Sequence, residues 1–230
     1  ITSHYPYLEN PEPQYVFLYD LLKNSGAHIV CLSDRIQNEF LNRGNDSTNV
    51  SILPCGIDVD SYIIDENDIL YPDRSIVVGK IEPRKRQAFL QHKGLNIDFI
   101  GNNVDASFDT NDPCYFGEQS KEDIMENLTS YANMVLLSSG EAHPFVCLEG
   151  MAAGLGLVIS EQSTANLDIT KPFITVIPDS KLNDTKFLKE EIENNRKVSM
   201  KMRDEIRKYC RDNFDWCAII KKYKEIIEKI

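Results

Sequence analysis

The sequence has no apolar run long enough to cross a membrane. Stretches such as Met134–Leu137 and Leu155–Ile159 are strand-sized, far below the ~20 residues that a spanning helix needs. No basic segment leads into an apolar stretch and a small-residue cleavage site, so no signal peptide is expected. Positive charge is in short supply: 25 Lys+Arg face 36 Asp+Glu, a net charge of −11. That balance argues against a general nucleic-acid binder, which needs cationic surface to release phosphate counterions. It leaves room for a local basic pocket around one anionic ligand. The six cysteines (Cys31, Cys55, Cys114, Cys147, Cys210, Cys217) include no CxxC pair and none beside a His at ligand spacing. They therefore read as small hydrophobes rather than zinc ligands or a disulfide frame. Reduced thiols point to a cytoplasmic location. No internal repeat or low-complexity tract is visible.

What is present is a globular composition. Of 230 residues, 42% are apolar, enough for a core in one large α/β domain or one domain plus part of another. The chain opens on Ile1 rather than Met, which reads as a piece of something longer.

Strand-like and helix-like segments alternate. Strands are expected at 28–32, 50–53, 75–79, 97–101, 114–116, 134–137, 157–160 and 173–177. Helices are expected at 33–41, 84–92, 121–132 and 145–153, with three more at 186–194, 197–213 and 215–229. This alternation implies an α/β fold, a Rossmann-like parallel sheet with helices on both faces. Ligands of such sheets bind beyond the carboxyl ends of the strands. Residues 1–27, rich in Pro and Tyr and followed by a helix near 15–23, read as the remnant of a preceding domain. Residues 28–230 read as one domain that includes the closing helices.

Two constellations sit at expected strand ends. The first is Gly79-Lys80-Ile81-Glu82-Pro83-Arg84-Lys85-Arg86, expected to open a helix. Cations at a helix N-terminus oppose the dipole unless an anion is bound; the alternative is a solvated basic turn. The second runs from Ser138 to Glu149, with Glu141 in the loop, Pro144 at a natural first-turn position and Glu149 within the helix. A carboxylate accepts two hydrogen bonds at once, which suits vicinal hydroxyls of a sugar or ribose. The helix start between the two acids can meet phosphate. Together these features describe a nucleotide-sugar pocket. The bland reading of Glu149 is a solvent-facing helix residue.

At this point a family resemblance emerges. Glu141 and Glu149 carry the E-x7-E spacing of retaining GT-B glycosyltransferases. The run continuing through Gly150-Met151-Ala152-Ala153-Gly154 into Val158-Ile159-Ser160 resembles the family 4 pattern. The basic loop, Ile52-Leu53-Pro54-Cys55-Gly56-Ile57-Asp58 and Asn213-Phe214-Asp215-Trp216 resemble further family segments, in the same order, over roughly residues 28–230. The resemblance implies the C-terminal, donor-binding domain of a GT-B fold. It implies that Lys80 and Lys85 hold the donor diphosphate beside Gly79. Backbone N–H groups around Pro144, Phe145 and Val146 would meet phosphate, and Glu149 would bind the ribose. Glu141 would orient the donor sugar and stabilise charge at its anomeric carbon. His4 resembles a histidine of the N-terminal domain near that sugar; on chemistry alone it reads as a loop residue.

The implied reaction is metal-independent glycosyl transfer with retention, from a UDP- or GDP-sugar to an acceptor glycan or lipid, with no cofactor. Asp58-Val59-Asp60 follows the Pro-Cys-Gly turn and is not read as a metal site. Departures from the pattern are Lys80 for Arg, His143-Pro144 for Phe-Gly, Gly150 for Ala and Cys55 for Asn. The apolar face of the last helix (Ile219, Ile220, Tyr223, Ile226, Ile227) is expected to be partly uncovered, with self-association or peripheral membrane association as consequences. The alternatives are a non-catalytic nucleotide-binding or interaction module, or a sugar-nucleotide epimerase.

Overall fold

The computed structural model describes residues 2–3, 13–63 and 69–229. Two parallel sheets divide them. The larger has five strands in the order β5-β4-β6-β7-β8. These are Tyr71–Val78 (β4), Ile97–Ile100 (β5), Tyr131–Leu136 (β6), Gly156–Ser160 (β7) and Ile174–Ile177 (β8). Every pairing is parallel. The near-continuous apolar runs follow from burial on both faces. Successive side chains point to opposite sides, and two cores result. Ile76, Val78, Met134, Leu136, Leu157 and Ile159 face one, with Leu148, Met151, Ile206 and Phe214 from helices. Val77, Val135, Leu137 and Val158 face the other, with Leu90, Leu188 and Ile192.

The smaller sheet has three strands in the order β1-β2-β3: Thr2–Ser3 (β1), Ile29–Cys31 (β2) and Val50–Ile52 (β3). Helices α1 (Pro13–Asn24) and α2 (Asp34–Asn42) share its core through Tyr19, Leu22, Ile36 and Phe40. The boundary expected at 27/28 therefore runs through this sheet. β2 pairs with β1 on one side and β3 on the other, and neither β2 nor β3 joins the larger sheet. Periodicity marks a short buried strand, but its partner is chosen by long-range packing.

The remaining helices are α3 (Gln87–Gln91), α4 (Lys121–Asn127), α5 (Phe145–Ala152), α6 (Thr185–Lys201), α7 (Arg203–Phe214) and α8 (Trp216–Ile227). Besides α3, two regions differ from expectation. The segment 121–132 is not one helix: a 3-10 turn at Leu128–Ser130 follows α4, and Tyr131 already pairs with Tyr71 in the sheet. Nor is there a break at 194–197. Asn195 is buried within α6, and its amide donates to the carbonyls of Leu157 (3.0 Å) and Phe173 (3.1 Å). The asparagine ties strand ends instead of stopping a helix.

The linker after β3 crosses the junction between α7 and α8. The N–H of Ile57 donates to the carbonyl of Phe214 (2.9 Å), and that of Trp216 to the carbonyl of Ile57 (3.2 Å). A Cβ at Gly56 would lie 2.6 Å from the Trp216 ring, so only glycine fits under it. The two aspartates of the linker serve structure. Asp58 accepts from the Asp60 N–H (3.1 Å) and the Ser61 hydroxyl (2.6 Å), while Asp60 pairs with Arg211 at 2.7 Å. Helix α8 then runs back beside α2 and β3. Its Ile219 is buried, whereas Ile220, Tyr223 and Ile227 stand about half exposed. Among the described residues no helix is long and apolar enough to cross a membrane.

Candidate active site

The carboxyl ends of β4, β5 and β6 form the cleft where ligands of such sheets bind. Gly79 ends β4 with φ 127° and Gly101 follows β5 with φ 148°. The two ends touch: a Cβ at Gly101 would lie 2.1 Å from the carbonyl oxygen of Gly79. A Cβ at Gly79 would lie 2.7 Å from Nζ of Lys85, so that ammonium sits directly over the strand end. Lys80 is exposed at the rim, and its carbonyl accepts from the Gln87 amide (2.9 Å). A cleft of about 280 Å³ opens here between Gly79, Lys80, Gly101, Asn102, Glu118 and Gln119.

The basic loop does not open a continuous helix. Pro83–Lys85 forms a 3-10 turn, Arg86 adopts the left-handed conformation (φ 59°), and only five residues of α3 follow. The buried Gln87 straps the loop, accepting from the N–H of Glu82 (3.2 Å) while donating to Lys80. Charge and exposed backbone, not a helix dipole, make this loop suited to an anion.

Arg84 joins the two constellations. Its guanidinium meets Glu82 at 2.6 Å and Glu141 at 2.9 Å, and donates to the Ser138 hydroxyl (3.1 Å) and the Gly140 carbonyl. The Ser139 N–H donates back to the Arg84 carbonyl (2.8 Å). The basic loop and the acidic loop are thus bolted together. Sequence reasoning counted Arg84 among the cations but gave it no role, because its carboxylate partner lies 57 residues away.

Glu149 lies half-buried on the second turn of α5. Its carboxylate accepts from the Tyr62 hydroxyl at 3.4 Å. Burial raises its pKa above the ordinary carboxylate value, opposed by the Tyr62 hydrogen bond and by the charges of Lys121 and Lys85. Burial, followed by the Glu149 charge, likewise pushes the Tyr62 phenol up. Tyr62 and Lys121 escaped the sequence reading; nothing local links either to Glu149.

Pro144 precedes α5 and accepts from the Cys147 N–H (2.9 Å). A proline offers no N–H itself, so the first-turn donors are those of Phe145 and Val146. His143 is buried, and burial drives its pKa down to about 4. Its Nδ1 lies 2.8 Å from Nδ2 of Asn166, which also donates to the carbonyl of Leu32 at 2.6 Å. Where the family pattern has Phe-Gly, this chain has a tether to the end of β2. His4 lies outside the described residues.

No family model matches the chain, and no curated protein matches it by sequence. Solved structures do. HepE from Anabaena, in complex with UDP and glucose, superposes with a TM-score of 0.73 at 14% identity, over 96% of this chain and 68% of its own. TarM gives 0.70 at 11% identity, over 94% of this chain and 46% of its own. WaaG, a glycosyltransferase involved in lipopolysaccharide biosynthesis, gives 0.69 at 15% identity, over 96% and 69%. The chain thus spans under half of TarM and about two thirds of the other two. At these identities the likeness concerns fold: the five-stranded sheet with its helices is the Rossmann-like C-terminal half of a GT-B glycosyltransferase fold.

Proposed function

Taking that fold as premise, we propose that the chain binds a nucleotide-sugar donor for a retaining, metal-independent glycosyltransferase. The observation that carries the proposal is that the acidic loop and the basic loop meet at the strand ends: Arg84 pairs with Glu141 at 2.9 Å, and the Ser139 N–H donates to the Arg84 carbonyl at 2.8 Å. That HepE is described with UDP and glucose, and WaaG as a glycosyltransferase, supports the donor class.

In this reading Lys85 and Lys80 meet the diphosphate with the N–H groups of Phe145 and Val146, beside Gly79. Glu149 accepts from the ribose hydroxyls. Glu141, oriented by Arg84, lies at the donor sugar. The acceptor oxygen bonds to the anomeric carbon as the bond to the diphosphate breaks. The nucleoside diphosphate leaves with that electron pair, and the acceptor's proton goes with it. Stabilising the leaving charge by fixed donors is the main catalytic term. The compartment proposed is the cytoplasm.

Calorimetric titration with UDP, GDP and ADP, without added metal, tests the site. Binding of one of them is expected, weakened ~10- to 100-fold in Lys85→Ala, since charge-assisted hydrogen bonds contribute about 1.5–3 kcal/mol. Absence of binding by all three nucleotides would overturn the assignment.

A further inference from the structure

Beside the strand-end cleft lies a second, larger cavity of about 550 Å³. The linker from Leu53 to Asp58 lines one side; Tyr62, Met125 of α4, Phe145 of α5 and Trp216 at the head of α8 line the others. Its volume falls in the range of small-molecule sites, which are apolar hollows with a few polar groups. The distribution of polarity is ordered. The buried lining residues Ile57, Tyr62 and Ile219 are apolar or aromatic, whereas the charged ones, Asp58, Lys121 and Glu122, are exposed. The interior is therefore greasy and the mouth charged.

Two further observations separate this cavity from loose packing. Trp216 is held in place by the Gly56 turn, yet stays 51% exposed, and Phe145 is 39% exposed. Large aromatic faces left bare around a hollow mark a binding surface. The cavity also adjoins the proposed donor site. Tyr62 donates to Glu149, Lys121 acts on the same carboxylate, and Phe145 starts the helix that carries it.

We infer that this cavity holds the hydrocarbon part of an amphiphilic acceptor, whose polar end reaches past Phe145 toward the donor sugar. The inference rests on the donor-site reading and adds to it the acceptor's chemical class. A wholly polar glycan would leave these apolar walls in contact with water.

Trp216 is the only tryptophan in the chain, so its emission reports on this cavity. The probe is octyl β-D-glucoside below its critical micelle concentration, with glucose as the chain-less control. A saturable blue shift is expected with octyl glucoside and none with glucose. Met125→Asp, which places a charge in the wall, is expected to weaken the response at least tenfold. Met125→Leu, which conserves volume, is expected to retain it, and far-UV circular dichroism checks that both variants fold. No saturable shift, or an equal shift in Met125→Asp, overturns the inference. Nucleoside diphosphate binding, measured on the same preparations, keeps the two readings apart. Nucleotide binding without an octyl glucoside response removes the cavity assignment alone. An octyl glucoside response without nucleotide binding removes the donor reading and, with it, the acceptor role.

Discussion

Glu149 sits half-buried on α5 with the Tyr62 hydroxyl as its hydrogen-bond partner, and its pKa is raised chiefly by burial. The sign of the consequence follows from proton counting. Between the ordinary value of 4.5 and the raised folded value, the folded state holds more protons than the unfolded one. Stability therefore falls as pH rises through that window, and the full penalty is present above it. Glu149→Gln keeps the shape and the acceptor for Tyr62 but removes the charge. We expect it to melt higher than the parent at neutral pH, with the difference shrinking on acidification and vanishing below the ordinary carboxylate range. The same change should weaken nucleotide binding. Paired thermal melts across pH 4–8 and a UDP titration check both halves. A variant less stable at pH 7 would mean that the Lys85 and Lys121 charges outweigh burial.

At the scale of elements, the ends of β4 and β5 are held together by glycine. Gly101 combines a left-handed φ of 148° with a Cβ position 2.1 Å from a backbone oxygen, and neither can be relieved by moving a side chain. Gly94 has φ 63° but nothing within 4 Å of its Cβ position. Gly101→Ala should destabilise by about 3 kcal/mol, combining overpacking and backbone strain. Gly94→Ala should lose only about 1 kcal/mol, the conformational part alone. Urea denaturation of the two variants separates steric from conformational demand. Equal losses would show that the strand ends can move apart.

At the scale of the whole molecule, the two sheets are joined by the Ile57–Asp215 crossing and by the contact running from His143 through Asn166 to Leu32. His143 is buried as the neutral ring, with its pKa lowered from 6.5 to about 4. In that window the unfolded chain binds the proton and the folded one does not. The contribution of neutral His143 is therefore present above pH 6.5 and is lost as pH falls toward 4, about 3 kcal/mol over the full window. In His143→Phe, denaturation midpoints at pH 7 and pH 4.5 should lie closer together than in the parent. An unchanged gap would place the acid sensitivity elsewhere.

Much of this protein is legible along the chain. The alternating apolar runs mark β4 to β8, because a strand buried on both faces must be apolar at consecutive positions. The spacing of Glu141 and Glu149 around a proline-opened helix is legible because both lie on one short segment, whose geometry is local. What the tertiary structure alone decided are pairings across long separations. Arg84 finds Glu141 across 57 residues and Tyr62 finds Glu149 across 87. β2 and β3 join a separate sheet although their apolar pattern resembles that of the others. Asn195 looks like a helix stop but spends its amide on two strand ends. Local periodicity follows from neighbouring side chains, whereas the choice of partner depends on how the whole chain closes on itself. The spacing of the two acids could therefore be read along the chain, but the arginine and tyrosine that bond to them could not.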